Sequence, residues 1–109
     1  MATCARGRAV SHRIDFQRIN RAALSALPEL LQRWLPGGRV EGAEYVALNP
    51  KRVDHHLGSF RINLKTGAWA DFAIAAARGG DVIALAAYLA GTGQAAAALE
   101  IARMLRLPS

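Results

Sequence analysis

The sequence is poor in the residues that build disulfides and cysteine-rich metal centres. It has one cysteine, Cys4, among 109 residues, which excludes an intrachain disulfide and a zinc site made of cysteines. No uncharged apolar run approaches the ~20 residues that a membrane-spanning helix requires. We therefore expect a protein of a reducing compartment, most simply the cytoplasm, without a membrane partner.

Aromatic residues are also scarce, at 6%, although hydrophobic residues together make up 52% of the chain. This composition is too apolar for a disordered protein, and the length is typical of one domain. We expect a modest core made of aliphatic helix faces, with a few aromatic side chains as anchors.

Acidic residues are also few. The chain has 8 Asp and Glu and 14 Lys and Arg, which gives a formal net charge of +6. The imbalance lies in residues 1–53, with nine basic and four acidic side chains, whereas residues 54–109 hold five and four. A basic half favours an anionic partner, most simply nucleic acid, although the same charge also serves solubility. Residues 1–13 have neither an acid nor an apolar signal segment, so we interpret them as a flexible basic arm before a single domain over residues 14–109.

The first half of this domain has the pattern of two helices. Apolar residues recur at three- and four-residue steps over residues 16–35, which predicts one helix face. Asp15 is the predicted N-cap, with Asn20 as a second choice. Pro28 is expected to break the helix and to begin a second one, which Pro36-Gly37-Gly38 ends.

Two further helices are predicted near the carboxyl end. Asp81 is placed to cap a helix over residues 82–90, which Gly91 ends. Thr92 is the predicted cap of a last helix over residues 94–106. The segment before Asp81 consists of small residues and is interpreted as a loop.

Between these helical regions the pattern changes to that of a β-hairpin. One short strand is expected within residues 39–48, followed by a polar loop. Apolar and polar side chains then alternate over residues 60–64, which is typical of a half-buried strand. Lys65-Thr66-Gly67 fits a three-residue hairpin loop with glycine in the left-handed position.

This loop length fixes the predicted register of the hairpin. It pairs Phe60 with Phe72, Ile62 with Ala70 and Leu64 with Ala68 on the apolar face. On the polar face Arg61 then lies opposite Asp71, and Asn63 lies opposite Trp69. An aromatic ring beside an arginine and an amide is a candidate platform for single-stranded nucleic acid. The alternative is that Trp69 packs against the first helix, while Arg61 only pairs with Asp71 across the strands.

The remaining polar motifs give weaker indications of a binding or catalytic site. Arg78-Gly79-Gly80-Asp81 offers a glycine loop at a helix start, where free N–H groups bind phosphate. Since the Asp81 carboxylate would occupy those N–H groups, we favour capping, and Arg78 stays a candidate phosphate contact. Asp54-His55-His56 lacks further ligands at useful spacing and is interpreted as a loop. No nucleophile, carboxylate cluster or nucleotide fingerprint is evident, so we expect no enzyme, metal or cofactor.

Four segments occur in the order found in the zinc-binding module that opens bacterial, phage and mobile-element DNA primases. Asn49-Pro50-Lys51-Arg52 stands where that family has its first pair of zinc ligands, and Gly58-Ser59-Phe60 at its Pro-Ser-Phe strand. Trp69-Ala70-Asp71-Phe72 is similar to its second strand, and Gly79-Gly80-Asp81-Val82-Ile83 to its Gly-Asp-x-Ile helix start. Residues 15–38 resemble the helical lead-in of such proteins. The zinc ligands themselves are missing.

The resemblance implies an α+β fold, in which a small antiparallel sheet with a zinc-ribbon-like hairpin, but without zinc, packs against several helices. It also implies a non-catalytic module that binds single-stranded DNA in a mobile-element or phage replication and priming system. Primer synthesis would then belong to another domain or protein. The residues predicted to bind DNA are Trp69 by stacking and Arg61, Lys65, Lys51, Arg52 and Arg78 through phosphate. The alternative is an interaction module that docks a replicative helicase or a primase or polymerase through an exposed helix face, without touching DNA.

Overall fold

The computed structural model describes residues 14–51 and 57–107. The predicted basic arm, Arg52 and the Asp54-His55-His56 segment lie outside the described residues. The helices are α1 (Phe16–Ser25), α2 (Leu27–Trp34), α3 (Val82–Ala90) and α4 (Gln94–Met104). The strands are β1 (Arg39–Glu41), β2 (Glu44–Ala47), β3 (Phe60–Asn63), β4 (Trp69–Asp71) and β5 (Arg78–Gly79).

The five strands form one antiparallel sheet in the order in which they follow one another along the chain. This confirms the prediction of an α+β fold with a small antiparallel sheet against helices. Two strands were not predicted. The single strand expected within residues 39–48 is a hairpin of β1 and β2, because Gly42 turns the chain with φ +62°. The loop expected before Asp81 contains β5, which pairs with β4.

The amino-terminal helices begin and end at the predicted signals. Oδ1 of Asp15 accepts the backbone N–H of Arg18 at 3.0 Å, which confirms Asp15 as the cap of α1. The chain breaks after Ser25, but α2 begins at Leu27, one residue before the predicted start at Pro28. In the first turn the missing N–H of Pro28 leaves no hydrogen bond unmade. Asn20 caps a different helix, since its Oδ1 accepts the N–H of Ile83 in the first turn of α3 at 3.0 Å.

The carboxyl-terminal helices follow the prediction except at one cap and at the end of α4, which lies at Met104 rather than at residue 106. Oδ1 of Asp81 accepts the N–H of Ala84 at 2.8 Å, and Gly91 ends α3 in the left-handed conformation with φ +70°. The prediction that Thr92 caps α4 is wrong, because Gly93 holds that position. The N–H of Thr92 instead donates to the carbonyl of Ala87, so Thr92 completes the end of α3.

One face of the sheet, the inner face, packs against the helices and holds Tyr45, Phe60, Ile62 and Trp69. The hydroxyl of Tyr45 donates to the carbonyl of Leu35 at 2.8 Å, which ties β2 to the end of α2. The helices contribute mainly aliphatic side chains to the same core, as the composition predicted. They include Ile19, Ala23, Leu27, Leu30, Leu31, Val82, Ile83, Leu85, Ala98 and Ile101.

The predicted register of the central hairpin is wrong by one residue. Phe60 pairs with Asp71, and Ile62 pairs with Trp69. The loop holds four residues, since Asn63 donates its N–H to the carbonyl of Ala68 at 2.7 Å and residues 64–67 lie between them. Because side chains alternate along a strand, a slip of one residue moves all of β4 to the opposite face.

Among the described residues, no single helix has both the length and the apolar character needed to cross a membrane. Only α3 and α4 taken together reach that length and composition, and they are bent by 106° relative to each other.

Candidate nucleic-acid interface

Trp69 lies on the inner face of the sheet, so its predicted place on the polar face is wrong. Its side chain is 5% exposed. The indole packs edge-on against Phe60, with ring centroids 6.3 Å apart, and lies 5.0 Å from the ring of Tyr88. It also covers the α-carbon of Gly79, since a Cβ added there would meet Nε1 at 2.7 Å. A base therefore has no access to this ring, and Trp69 is an anchor of the core.

Asp71 moves to the inner face with Trp69, and the predicted pairing of Arg61 with Asp71 does not form. The Asp71 side chain is buried, and its Oδ2 accepts a hydrogen bond from Nδ2 of Asn49 at 2.8 Å. The same Nδ2 donates to the hydroxyl of Tyr88 at 2.9 Å. This buried polar cluster joins the chain after β2, the end of β4 and helix α3.

The opposite face of the sheet, the outer face, carries an unbroken row of residues across all five strands. The register pairs Arg39 with Val46, Val46 with Arg61, Arg61 with Ala70 and Ala70 with Arg78. Three arginines thus alternate with two small apolar residues, and we refer to these five residues as the arginine row. Since neighbouring strands lie about 4.8 Å apart, the arginine backbones are spaced by roughly 10 Å.

The central arginine of this row is held by acidic side chains. Arg61 makes ion pairs with Glu44 at 3.0 Å and with Glu41 at 3.3 Å, and its Nε donates to the carbonyl of Gly58 at 2.8 Å. The hydrogen bond that Arg61 donates to Glu44 raises the pKa of the Arg61 guanidinium, and the charge of Glu41 adds to this effect. Arg39 donates to Glu41 and lowers the pKa of that carboxyl. Arg61 lies on the outer face as predicted, but each of its three side-chain nitrogens already donates a hydrogen bond and its charge is balanced by the glutamates.

Phe72 is the aromatic residue that the outer face presents. It was predicted to lie in the core opposite Phe60, and this prediction is wrong because its side chain is 74% exposed. Its backbone N–H donates to the carbonyl of Ser59 at 2.8 Å, so the pairing of β3 with β4 continues to this residue. Two shallow depressions border Phe72 and Ala70, with volumes of about 280 and 210 Å³.

The other cations predicted to bind phosphate do not lie together. Arg78 ends the arginine row and lines the larger depression beside Phe72. Lys65 lies exposed in the loop between β3 and β4. Neither side chain has an ion-pair partner among the described residues. Lys51 lies elsewhere, with Nζ 3.5 Å from the position that a Cβ on Gly91 would take, where a cation favours the carboxyl end of α3. Arg52 falls outside the described residues.

A local signal for the true register was present in the sequence. Asn63 is a residue type that turns the chain by accepting hydrogen bonds from the next backbone N–H groups. In the structure Oδ1 of Asn63 accepts the N–H of Lys65 at 2.8 Å and that of Thr66 at 3.1 Å. A turn that begins at Asn63 gives the longer loop, buries Trp69 and exposes Phe72.

Comparison of the chain with protein-family models, with curated proteins and with solved structures gave no match. Among the described residues, no group of three or more His, Cys, Asp or Glu side chains is placed to hold a metal ion.

Proposed function

We propose that this chain is a non-catalytic module that binds single-stranded DNA through the outer face of its sheet. The observation that carries the proposal is the exposure of Phe72, 74% of whose side chain is accessible beside the arginine row. A single exposed phenylalanine is common on protein surfaces. Here it borders two depressions, and Arg78, without an ion-pair partner among the described residues, lines one of them.

Each part of this surface has a role that suits a single strand. A base stacks on the Phe72 ring, an interaction that contributes ~1–3 kcal/mol per base and tolerates any sequence. Arg78 and Lys65 attract the phosphates, and Arg61 keeps the surface ordered through its two glutamates. A duplex keeps its bases stacked on one another, so it would use the cations but not the ring. The module therefore favours single strands.

We infer the biological setting, a mobile-element or phage replication system, only from the sequence resemblance to primase zinc modules. Strand synthesis would be the task of a separate catalytic domain or protein. The positions similar to the zinc-bearing segments are joined here by the hydrogen bonds of Asn49 and Asp71 and by packing around Trp69. Hydrogen bonds and packing thus connect the two segments in this fold.

The test is a titration of a fluorescein-labelled oligothymidylate with the protein at low salt, followed by fluorescence anisotropy. Phe72→Ala should weaken binding by about tenfold, because it removes one stacking interaction of ~1.4 kcal/mol. The matched control is Leu99→Ala, which removes another exposed apolar side chain, 55% accessible, from α4. Equal affinity for wild type and Phe72→Ala, or no binding by the wild type, would overturn the proposal.

A further inference from the structure

A second surface lies among the helices, away from the outer face of the sheet. Two depressions of about 340 and 350 Å³ share the same floor, formed by Trp34, Ala86 and Ala90. One depression is also lined by Ile101 of α4. The other is also lined by Arg33 of α2 and by Pro50, which follows β2 in the chain. We name these six residues the Trp34 groove. Its floor is apolar and continuous, and it has room for bulky apolar side chains.

Trp34 gives this groove a binding element of its own. Its indole packs against the core while remaining partly accessible, and it lines both depressions. Tryptophan in such a position is enriched among the residues that dominate binding energy at protein interfaces, because it buries a large rigid area. Small alanine side chains in the floor let a partner approach the helix backbone closely.

The charge at the groove is one-sided. Arg33 and Pro50 line one end, and Lys51, the residue after Pro50, has its ammonium group near Gly91. Neither cation has an ion-pair partner among the described residues. The acid that lines the opposite end, Glu100, is paired with Arg103. The complement to this pattern is a bulky apolar side chain flanked on one side by carboxylates.

The charge and the lining of the groove favour one class of occupant. The chain's own residues 1–13 contain no acid, so they do not complement the cations. A nucleic-acid strand would find one accessible ring, but the rest of the lining is mainly aliphatic and the cations stand at one end only. We propose that the Trp34 groove binds a short acidic peptide segment with bulky apolar residues, presented by a partner protein.

The probe is a synthetic peptide in which a run of glutamates precedes a Leu-Leu-Phe segment. In a Trp69→Phe variant Trp34 is the only tryptophan, since the chain has two, so its emission reports on the groove directly. Titration with the unlabelled peptide should shift this emission to shorter wavelength, because the peptide removes water from the indole. The same peptide with lysines in place of glutamates should give no shift.

Variants of the wild type locate the site with a labelled form of the same peptide. Arg33→Ala and Lys51→Ala should each weaken binding about three- to tenfold, since each removes one cation from a partly desolvated contact. Ala90→Leu should abolish binding by filling the groove, and leucine is a good helix former at this exposed position. Arg78→Ala, on the outer face, should bind like wild type.

Three outcomes would overturn the proposal. The first is that the glutamate peptide gives no shift at low salt, or that the lysine peptide binds as well. The second is that oligothymidylate displaces the peptide and loses affinity in Arg33→Ala, which would make the groove part of a nucleic-acid site. The third is a dimer in sedimentation velocity that Ala90→Leu dissolves, which would assign the groove to a second copy of this chain. Loss of DNA binding in Phe72→Ala tests only the outer face of the sheet, and peptide binding in the Trp34 groove does not depend on it.

Discussion

Trp69 and Phe72 show how strongly the surroundings of a side chain depend on which face of the sheet it occupies. The Trp69 indole is held by packing between Phe60, Tyr88 and Gly79. Among the described residues its Nε1 has no hydrogen-bond partner, so van der Waals contact alone holds the ring on this side. Phe72 lies two residues after Ala70, on the same outer face, and is exposed to solvent. The core anchor and the proposed DNA contact thus come from one short segment.

The fit of this indole predicts a sharp difference between two adjacent glycines. A Cβ at Gly79 would lie 2.7 to 2.8 Å from three atoms of the Trp69 ring, whereas a Cβ at Gly80 would meet nothing within 4 Å. Gly79→Ala should therefore lower the free energy of unfolding by about 1–3 kcal/mol through overpacking. Gly80→Ala should change it by less than about 1 kcal/mol, or raise it. Urea titrations followed by tryptophan fluorescence measure both, and equal values would contradict the packing described for Trp69.

At the scale of elements, helix α3 is fixed at its start by two acceptors from different parts of the chain. Asp81 is a local cap of the N–H of Ala84, whereas Asn20 reaches the N–H of Ile83 from α1. The second hydrogen bond spans 63 residues of sequence. Because it joins a side chain of α1 to the first turn of α3, it fixes how these two helices lie against each other. Side chains of Ile19 and Ala23 then pack beside it in the core.

The cross-helix hydrogen bond predicts that Asn20→Ala destabilises the fold. The loss leaves the partly buried N–H of Ile83 without its acceptor, which costs about 1–3 kcal/mol, offset in part by the better helix propensity of alanine. Ser25→Ala is the control in the same helix, since the Ser25 hydroxyl is exposed and donates to the carbonyl of Arg21 within α1. Thermal unfolding followed by circular dichroism compares them. A lower melting temperature for Ser25→Ala than for Asn20→Ala would contradict this role of Asn20.

The local signals that predicted most of the helix ends did not predict the whole sheet. Asp15, Asp81 and Gly91 act within a few residues of their own position, so their roles were predictable from sequence. Strand β5 has two residues and exists because β4 lies beside it, which no local pattern records. The hairpin register depends on whether Trp69 or Phe72 is buried, and Trp69 fits between Phe60 and Tyr88 once α3 is in place.

For the whole molecule, the two faces of the sheet separate the core from the proposed binding surface. The inner face and the helices form the core, while the outer face carries charged side chains that the core does not need. The candidate site was predictable in its cations, since Arg78 and Lys65 are exposed as expected, but not in its aromatic residue. Arg61 differs from them because its glutamates come from β2 and from the end of β1, and only the assembled sheet brings these strands together.

The salt dependence of affinity would separate the two kinds of DNA contact proposed for the outer face. Each phosphate contact to a single strand contributes about −0.7 to the slope of the logarithm of affinity against the logarithm of salt concentration. Arg78→Ala should therefore make this slope shallower by about 0.7. Phe72→Ala should weaken binding at every salt concentration and leave the slope unchanged, since stacking releases no counterions.

Arg21→Ala is the matched control, because it removes an exposed cation on α1. It should change the affinity less than Phe72→Ala does and the slope less than Arg78→Ala does. The measurement is anisotropy with oligothymidylate over a series of salt concentrations. An unchanged slope in Arg78→Ala, together with a shallower one in Arg21→Ala, would place the DNA on the helices rather than on the sheet.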